Sequence, residues 1–171
     1  MFINKPSKAD YNEFYAGYIS LIEEGDIVAT LSTNRVKTKQ IFDSLSEEKG
    51  NYAYAPNKWT IKEMLEHIID TERVFAYRFM RVYRGDTTAL PSFDQDIFVK
   101  NGVANKRSLQ SLAREFYILR EANLLMLENL DESKLDFRGM MSGNPITPRA
   151  LLYIIAGHEA HHIKILKERY L

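Results

Sequence analysis

Residues 147–171 read TPRALLYIIAGHEAHHIKILKERYL, and the spacing within this run decides the fold class. At about 100° per residue, Leu151, Leu152, Ile154, Ile155, Ile163, Ile165 and Leu166 gather on one broad apolar face, as in a helix packed into a core. Thr147 supplies the N-cap, and Pro148 stands at the first helical position, where its missing amide hydrogen costs nothing. His162 falls near the middle of the apolar face, with His158 roughly 40° away and one turn earlier. Two imidazoles at i, i+4 on one buried side can reach a single point, as paired metal ligands do. A lone buried histidine is ordinarily a hydrogen-bonded core residue. Two of them need two partners, and one shared cation serves both. His161, rotated about 100° from His162 toward Lys164 and Glu168, is the spare.

His158-Glu159-Ala160-His161-His162 also satisfies the H-E-x-x-H pattern of zinc metalloproteases. In that chemistry Glu159 is the general base, and a further ligand lies downstream, beneath a substrate-aligning strand. Only IKILKERYL follows, and no convincing strand is present, so proteolysis is set aside. Glu159 then reads as an outer acceptor to a ligand or, preferably, as a core salt-bridge partner. A di-iron bundle needs Glu-x-x-His on each of two helices. Only Glu159 to His162 has that spacing, because Met64 stands three residues before His67.

Working back along the chain, Thr60 and Glu63 in NKWTIKEMLEH form a capping box, with Trp59 and Met64 at staple positions. They open a helix predicted over 60–83. His67 lies toward the flank of its apolar face, where geometry permits a third ligand without demanding one. Arg78 lies near the same flank and could hold an anionic cosubstrate carboxylate; its plainer reading is a surface or intrabundle salt bridge. Other helices are predicted over 8–23, 26–48 and 106–130. The connection RGDTTALPSFDQDIFVKNGVAN is too long for neighbouring antiparallel helices and crosses the bundle end to end, so the second and third long helices can run parallel. Asp94 and Asp96 within it could reach a pocket mouth as proton acceptors, although acidic loop residues ordinarily stay solvated or cap a turn. The expectation is an all-α fold: one domain over 1–171, a four-helix bundle with an N-terminal helical extension.

At 171 residues, 45% hydrophobic and 27% charged, the chain can bury one good core. Lys and Arg balance Asp and Glu at 23 each, which gives no broad attraction for nucleic acid or anionic lipid. No apolar run is long enough to cross a membrane and the N-terminus lacks an apolar signal core, so a cytoplasmic location is expected. Without cysteine, any metal must be held by His, Asp or Glu.

NKWTIKEMLEHIIDTERVFAYRFMRV, LPSFDQDIF, RSLQSLAREFYILREANLLMLENL and ITPRALLYIIAGHEAHHIKILKERYL together resemble the DinB-like superfamily, the group that includes YfiT-like metal-dependent hydrolases and bacillithiol S-transferases. The resemblance runs from about Tyr11 to the end. Its specific parts are the tryptophan-led helix carrying a histidine and the terminal G-H-E-x-H-H. It implies up-down-down-up connectivity, one divalent cation on His67, His158 and His162, and a homodimer. Zinc is the first choice of metal, with nickel, iron or manganese as alternatives.

Function in such a family is less uniform than fold. The first expectation is a metal-dependent thiol S-transferase that joins a low-molecular-weight thiol to a small electrophile. The others are a hydrolase of a small ester or amide and a non-catalytic metal-binding stress protein. A purely structural cation would close its coordination with a fourth protein ligand.

Overall fold

Each long helix begins where a side chain takes up its free amides. In the computed structural model, which describes residues 2–171, the 3-10 turns Lys8–Asp10 and Glu13–Tyr15 lead into α1 (Ala16–Ser20). Asp26 caps α2 (Ile27–Asp43) by accepting from the Ala29 amide at 2.9 Å, and Ser46 caps the single turn α3 (Glu47–Gly50). Thr60 and Glu63 form the expected capping box at the head of α4 (Ile61–Tyr83). Asp94 caps α5 (Gln95–Asn101), Ser108 caps α6 (Leu109–Met126), and Thr147 caps α7 (Pro148–Ile165), with Pro148 in its first turn. A π turn, Leu166–Tyr170, follows.

The four long helices α2, α4, α6 and α7 make a four-helix bundle with up-down-down-up connectivity. Two apolar clusters show the relative directions. One joins Ile61, Leu65 and Ile68 at the start of α4 to Leu109, Leu112 and Phe116 at the start of α6, with Leu166 from beyond the end of α7. The other joins Phe75, Phe79 and Val82 at the end of α4 to Leu127 just past α6 and to Leu151–Ala156 at the start of α7. Thus α4 and α6 run parallel and α7 runs against them. Each fully buried Leu, Ile or Phe stabilises by about 1.5–3 kcal/mol. Between the clusters lies a buried polar layer: His67, Thr71 and Glu72 from α4, Arg120 from α6, Thr38 from α2, and His158, Glu159 and His162 from α7.

Four local features depart from the sequence-based expectation. The helix predicted over 8–23 is broken, because Tyr11 is extended and Asn12 starts a new turn by accepting from the Phe14 amide. The helix predicted over 26–48 divides where Ser46 caps α3. The crossover contains α5. A hairpin, β1 (Gly139–Met141) and β2 (Asn144–Ile146), precedes α7, turning through Ser142 and Gly143 at φ 52° and 77°, the left-handed pair a two-residue hairpin turn needs. The Leu90 amide donates to Met140 O at 2.8 Å and the Ser142 amide to Leu90 O at 2.9 Å, which stitches the crossover to this hairpin.

Gly157 brings α1 onto α7. A Cβ there would stand 2.2 Å from the Tyr18 carbonyl oxygen, so only glycine permits the approach. The consequence falls on the next residue, where the Tyr18 ring meets that of His158 at 5.6 Å. Among the described residues, no helix is long and apolar enough to cross a membrane.

Candidate metal centre

The helix periods of α4 and α7 converge on one point. His158 and His162 project from successive turns of α7, and His67 faces them from α4. His67 Nε2 lies 3.0 Å from His158 Nε2, and His162 Nε2 lies 3.1 Å from the same atom. All three rings are buried. Among the described residues they form the one group of side chains placed to hold a metal, and no carboxylate or fourth histidine belongs to it.

Electrostatics keep the group neutral. Burial, then the charge of neighbouring imidazoles, lowers His67 to about 4 and His162 to about 3, and holds His158 well below the usual histidine value. A neutral imidazole carries one N–H and one lone pair. His67 has an outer partner in Thr71, whose Oγ1 is 3.5 Å from Nδ1. In the tautomer with Nδ1 protonated in all three rings, the three Nε2 lone pairs face each other, an arrangement that three neutral bases relieve by sharing a cation. The donor set therefore fits a divalent metal, which loses none of its charge to such ligands.

The walls around the triad are aromatic. Trp59 packs on His67 at 4.8 Å, and Tyr18 and Phe75 pack on His158 at 5.6 and 6.5 Å. Two cavities reach the group from different sides. One, of about 280 Å³, is lined by His67 and His158 with Tyr15, Tyr18, Phe75 and Arg78. The other, of about 290 Å³, is lined by His162 with Tyr54, Trp59, Asp96 and Tyr170.

The remaining sequence candidates separate in space. Asp94 is exposed at the head of α5, accepting from the Asp96 and Ile97 amides at 2.9 and 3.1 Å. Asp96 is exposed at the cavity that holds His162. Arg78 is buried, only 3% exposed, and lines the cavity of His67 and His158. It forms neither the surface nor the intrabundle salt bridge: among the described residues no carboxylate lies within ion-pairing reach of it. His161 is half-buried and meets the Tyr18 ring at 5.2 Å, outside the triad.

Glu159 turns away from the triad. Its Oε2 accepts from Arg120 Nη1 at 2.9 Å and its Oε1 from Thr38 Oγ1 at 2.6 Å. The core salt-bridge reading thus describes it, and a carboxylate bound to a buried arginine is not placed as a general base for the histidines. In the sequence Trp59 reads only as a staple residue, and Tyr15 and Tyr18 lie unremarked in the stretch 8–23; the tertiary approach through Gly157 and the α4 entry makes the three of them cavity walls.

A bundle in which two helices converge three histidines on one point defines a class, and the sequence places the chain in it. Residues 30–166 match the model of the DinB superfamily, and the chain belongs to that superfamily. It is similar to YjoA of Bacillus subtilis (strain 168), an uncharacterized protein, with 23% identity over 145 residues that cover 83% of this chain and 85% of YjoA. Among solved structures it is similar to YfiT from Bacillus subtilis, a probable metal-dependent hydrolase with an unusual four-helix bundle topology. That match has a TM-score of 0.71 and 18% identity and covers 97% of this chain and 91% of YfiT.

Proposed function

We propose that the protein is a divalent-metal-dependent enzyme that transfers a low-molecular-weight thiol to a small electrophile, with zinc as the first choice of metal and nickel, iron or manganese as alternatives. The observation that carries this reading is the convergence of three neutral imidazoles, His158 Nε2 lying 3.0 and 3.1 Å from the other two and the three ligand atoms all within 4.8 Å of one another, with no fourth protein ligand in the group. A structural cation would call for that fourth ligand. A cation held by three imidazoles supplies a charge that lowers the pKa of a thiol or water it binds.

The surroundings favour a thiol over water as nucleophile. A free thiol, with a pKa of about 8.5, needs a shift of only one to two units to ionise near pH 7, whereas water starts from about 15.7. Glu159, the carboxylate of the H-E-x-x-H pattern that would take a proton from metal-bound water, is held instead by Arg120. Two cavities, one on His67 and His158 and the other on His162, also suit two reactants. Tyr18, Phe75 and Trp59 wall the group with apolar ring surface. Asp96, at the cavity of His162, is the loop carboxylate we assign as proton acceptor, since Asp94 already accepts two amides.

The similarity to YfiT favours a second reading, hydrolysis of a small ester or amide. The test is a titration of small thiols into Co(II)-loaded protein. A sulfur-to-metal charge-transfer band that is absent from His67→Ala is expected. If no thiol produces the band while the loaded protein cleaves a small ester, the hydrolase replaces the transferase.

A further inference from the structure

A buried guanidinium ordinarily comes with its counter-ion, because an unpaired charge out of water is costly. The second buried arginine of this bundle departs from that rule. Arg78 donates from Nη2 to the Pro91 carbonyl at 2.6 Å and lies 5.4 Å from the ring centroids of both Phe75 and Phe93. Among the described residues, Nε and Nη1 have no protein acceptor and no carboxylate is within ion-pairing reach. The side chain lines the same cavity as His67 and His158, and among the described residues no other Lys or Arg does so.

The dimensions limit what can satisfy it. Phe75 bridges the gap, its ring centroid 5.4 Å from the Arg78 guanidinium carbon and 6.5 Å from the His158 ring centroid, so guanidinium and imidazole are at most about 12 Å apart. After contacts at both ends, the space takes a spacer of at most roughly five bonds of about 1.5 Å. The guanidinium edge that the Pro91 carbonyl leaves free, Nη2 with either Nε or Nη1, matches the planar, singly charged carboxylate; a dianionic phosphate would call for a second cation.

We propose that Arg78 is the anion anchor of this cavity, seating the carboxylate of a small substrate whose other end lies at the histidine triad. The proposal deepens the thiol-transfer reading for that other end and rests on it there, whereas the anchor itself depends only on the cavity. The carboxylate belongs either to the thiol or to the electrophile. In both cases Arg78 binds one reactant in register with the triad, and the cavity of His162 is left for the second.

The test is a ligand-observed NMR titration of wild-type protein, Arg78→Gln and Arg78→Lys, with and without bound zinc. The probes are pentanoate, pentanamide, 4-mercaptobutyrate and 4-mercaptobutyramide. Wild-type protein should bind each carboxylate about tenfold or more tightly than its amide. Arg78→Gln should bring that ratio close to one without changing amide affinity, and Arg78→Lys should keep part of it. A ratio near one in wild type, or an unchanged ratio in Arg78→Gln, overturns the anchor. A residue that merely pins the crossover to Pro91 would not move the ratio. If Arg78→Gln fails to fold, the wild-type ratio and the Lys variant still decide. Should zinc add no affinity for the mercapto probes while the pentanoate ratio holds, thiol transfer fails and the anchor stands. A zinc-dependent gain for the mercapto amide alone has the opposite meaning.

Discussion

Two polar clusters share the middle layer of this bundle, and they obey opposite rules. Around Arg120 every charged group has a hydrogen-bonded partner: Nε and Nη2 donate to Glu72 at 2.6 and 2.9 Å, and Nη1 donates to Glu159 at 2.9 Å and to Leu31 O at 3.3 Å. Thr38 and Asn123 complete the carboxylates. Burial alone would lower Arg120, but the two carboxylates outweigh it and hold the guanidinium charged; burial raises Glu159. On the other side of α7, three imidazoles point at one another and Arg78 lacks a carboxylate. His158 and Glu159 are adjacent in sequence and belong to different clusters. The closed cluster holds helices together, while the open one has valences left for ligands.

Among single substitutions, breaking the closed cluster should have the largest effect. Arg120→Ala leaves two carboxylates buried without their cation and should lower stability in urea by about 3–5 kcal/mol. A loss below about 1 kcal/mol would erase the distinction drawn here. The open cluster should behave differently. Zinc at a hundred times its Kd should stabilise wild-type protein by about 2.7 kcal/mol and do nothing for His158→Ala, as read from thermal unfolding with and without chelator.

Acid separates the clusters again, through a loss that accumulates over several pH units. In metal-free protein His67 and His162 titrate near 4 and 3, whereas in the unfolded chain histidine titrates near 6.5. The folded values are the depressed ones, so the unfolded chain takes up protons first as the pH falls. Stability should be fully present above about pH 6.5 and lost progressively toward pH 4 and 3, with about 1.4 kcal/mol per pH unit from each histidine. His67→Phe should flatten that slope by one proton's worth in urea unfolding across pH. The smallest effect belongs to His161→Ala, which should change stability by about 0.5 kcal/mol or less and retain the cation.

How much of this was legible in the sequence differs between the same two clusters. The open cluster could be read in large part because helix periodicity alone puts His158 and His162 on one side, and Thr60 with Glu63 marks the phase of the helix that carries His67. Of the closed cluster only Glu159 could be, as a core salt-bridge partner. Arg120 lies in YILREANLL, where it looks like any solvated helix charge, and its partners Glu72 and Glu159 are 48 and 39 residues away. Arg78 was ambiguous for the same reason, since only the packed crossover removes it from water. The hairpin 139–146 escaped because three-residue strands are shorter than any usable period, and α5 because its seven residues lie in a loop-like composition.

The central claim is that the open cluster is a metal centre made by His67, His158 and His162. Elemental analysis of untagged protein, purified without chelator and re-equilibrated with zinc, tests it most directly. The account predicts one cation per chain in wild type and in His161→Ala, and none in His67→Ala, although that variant remains folded. A wild-type protein without stoichiometric metal, or a His67→Ala variant that still holds one cation per chain, would contradict it.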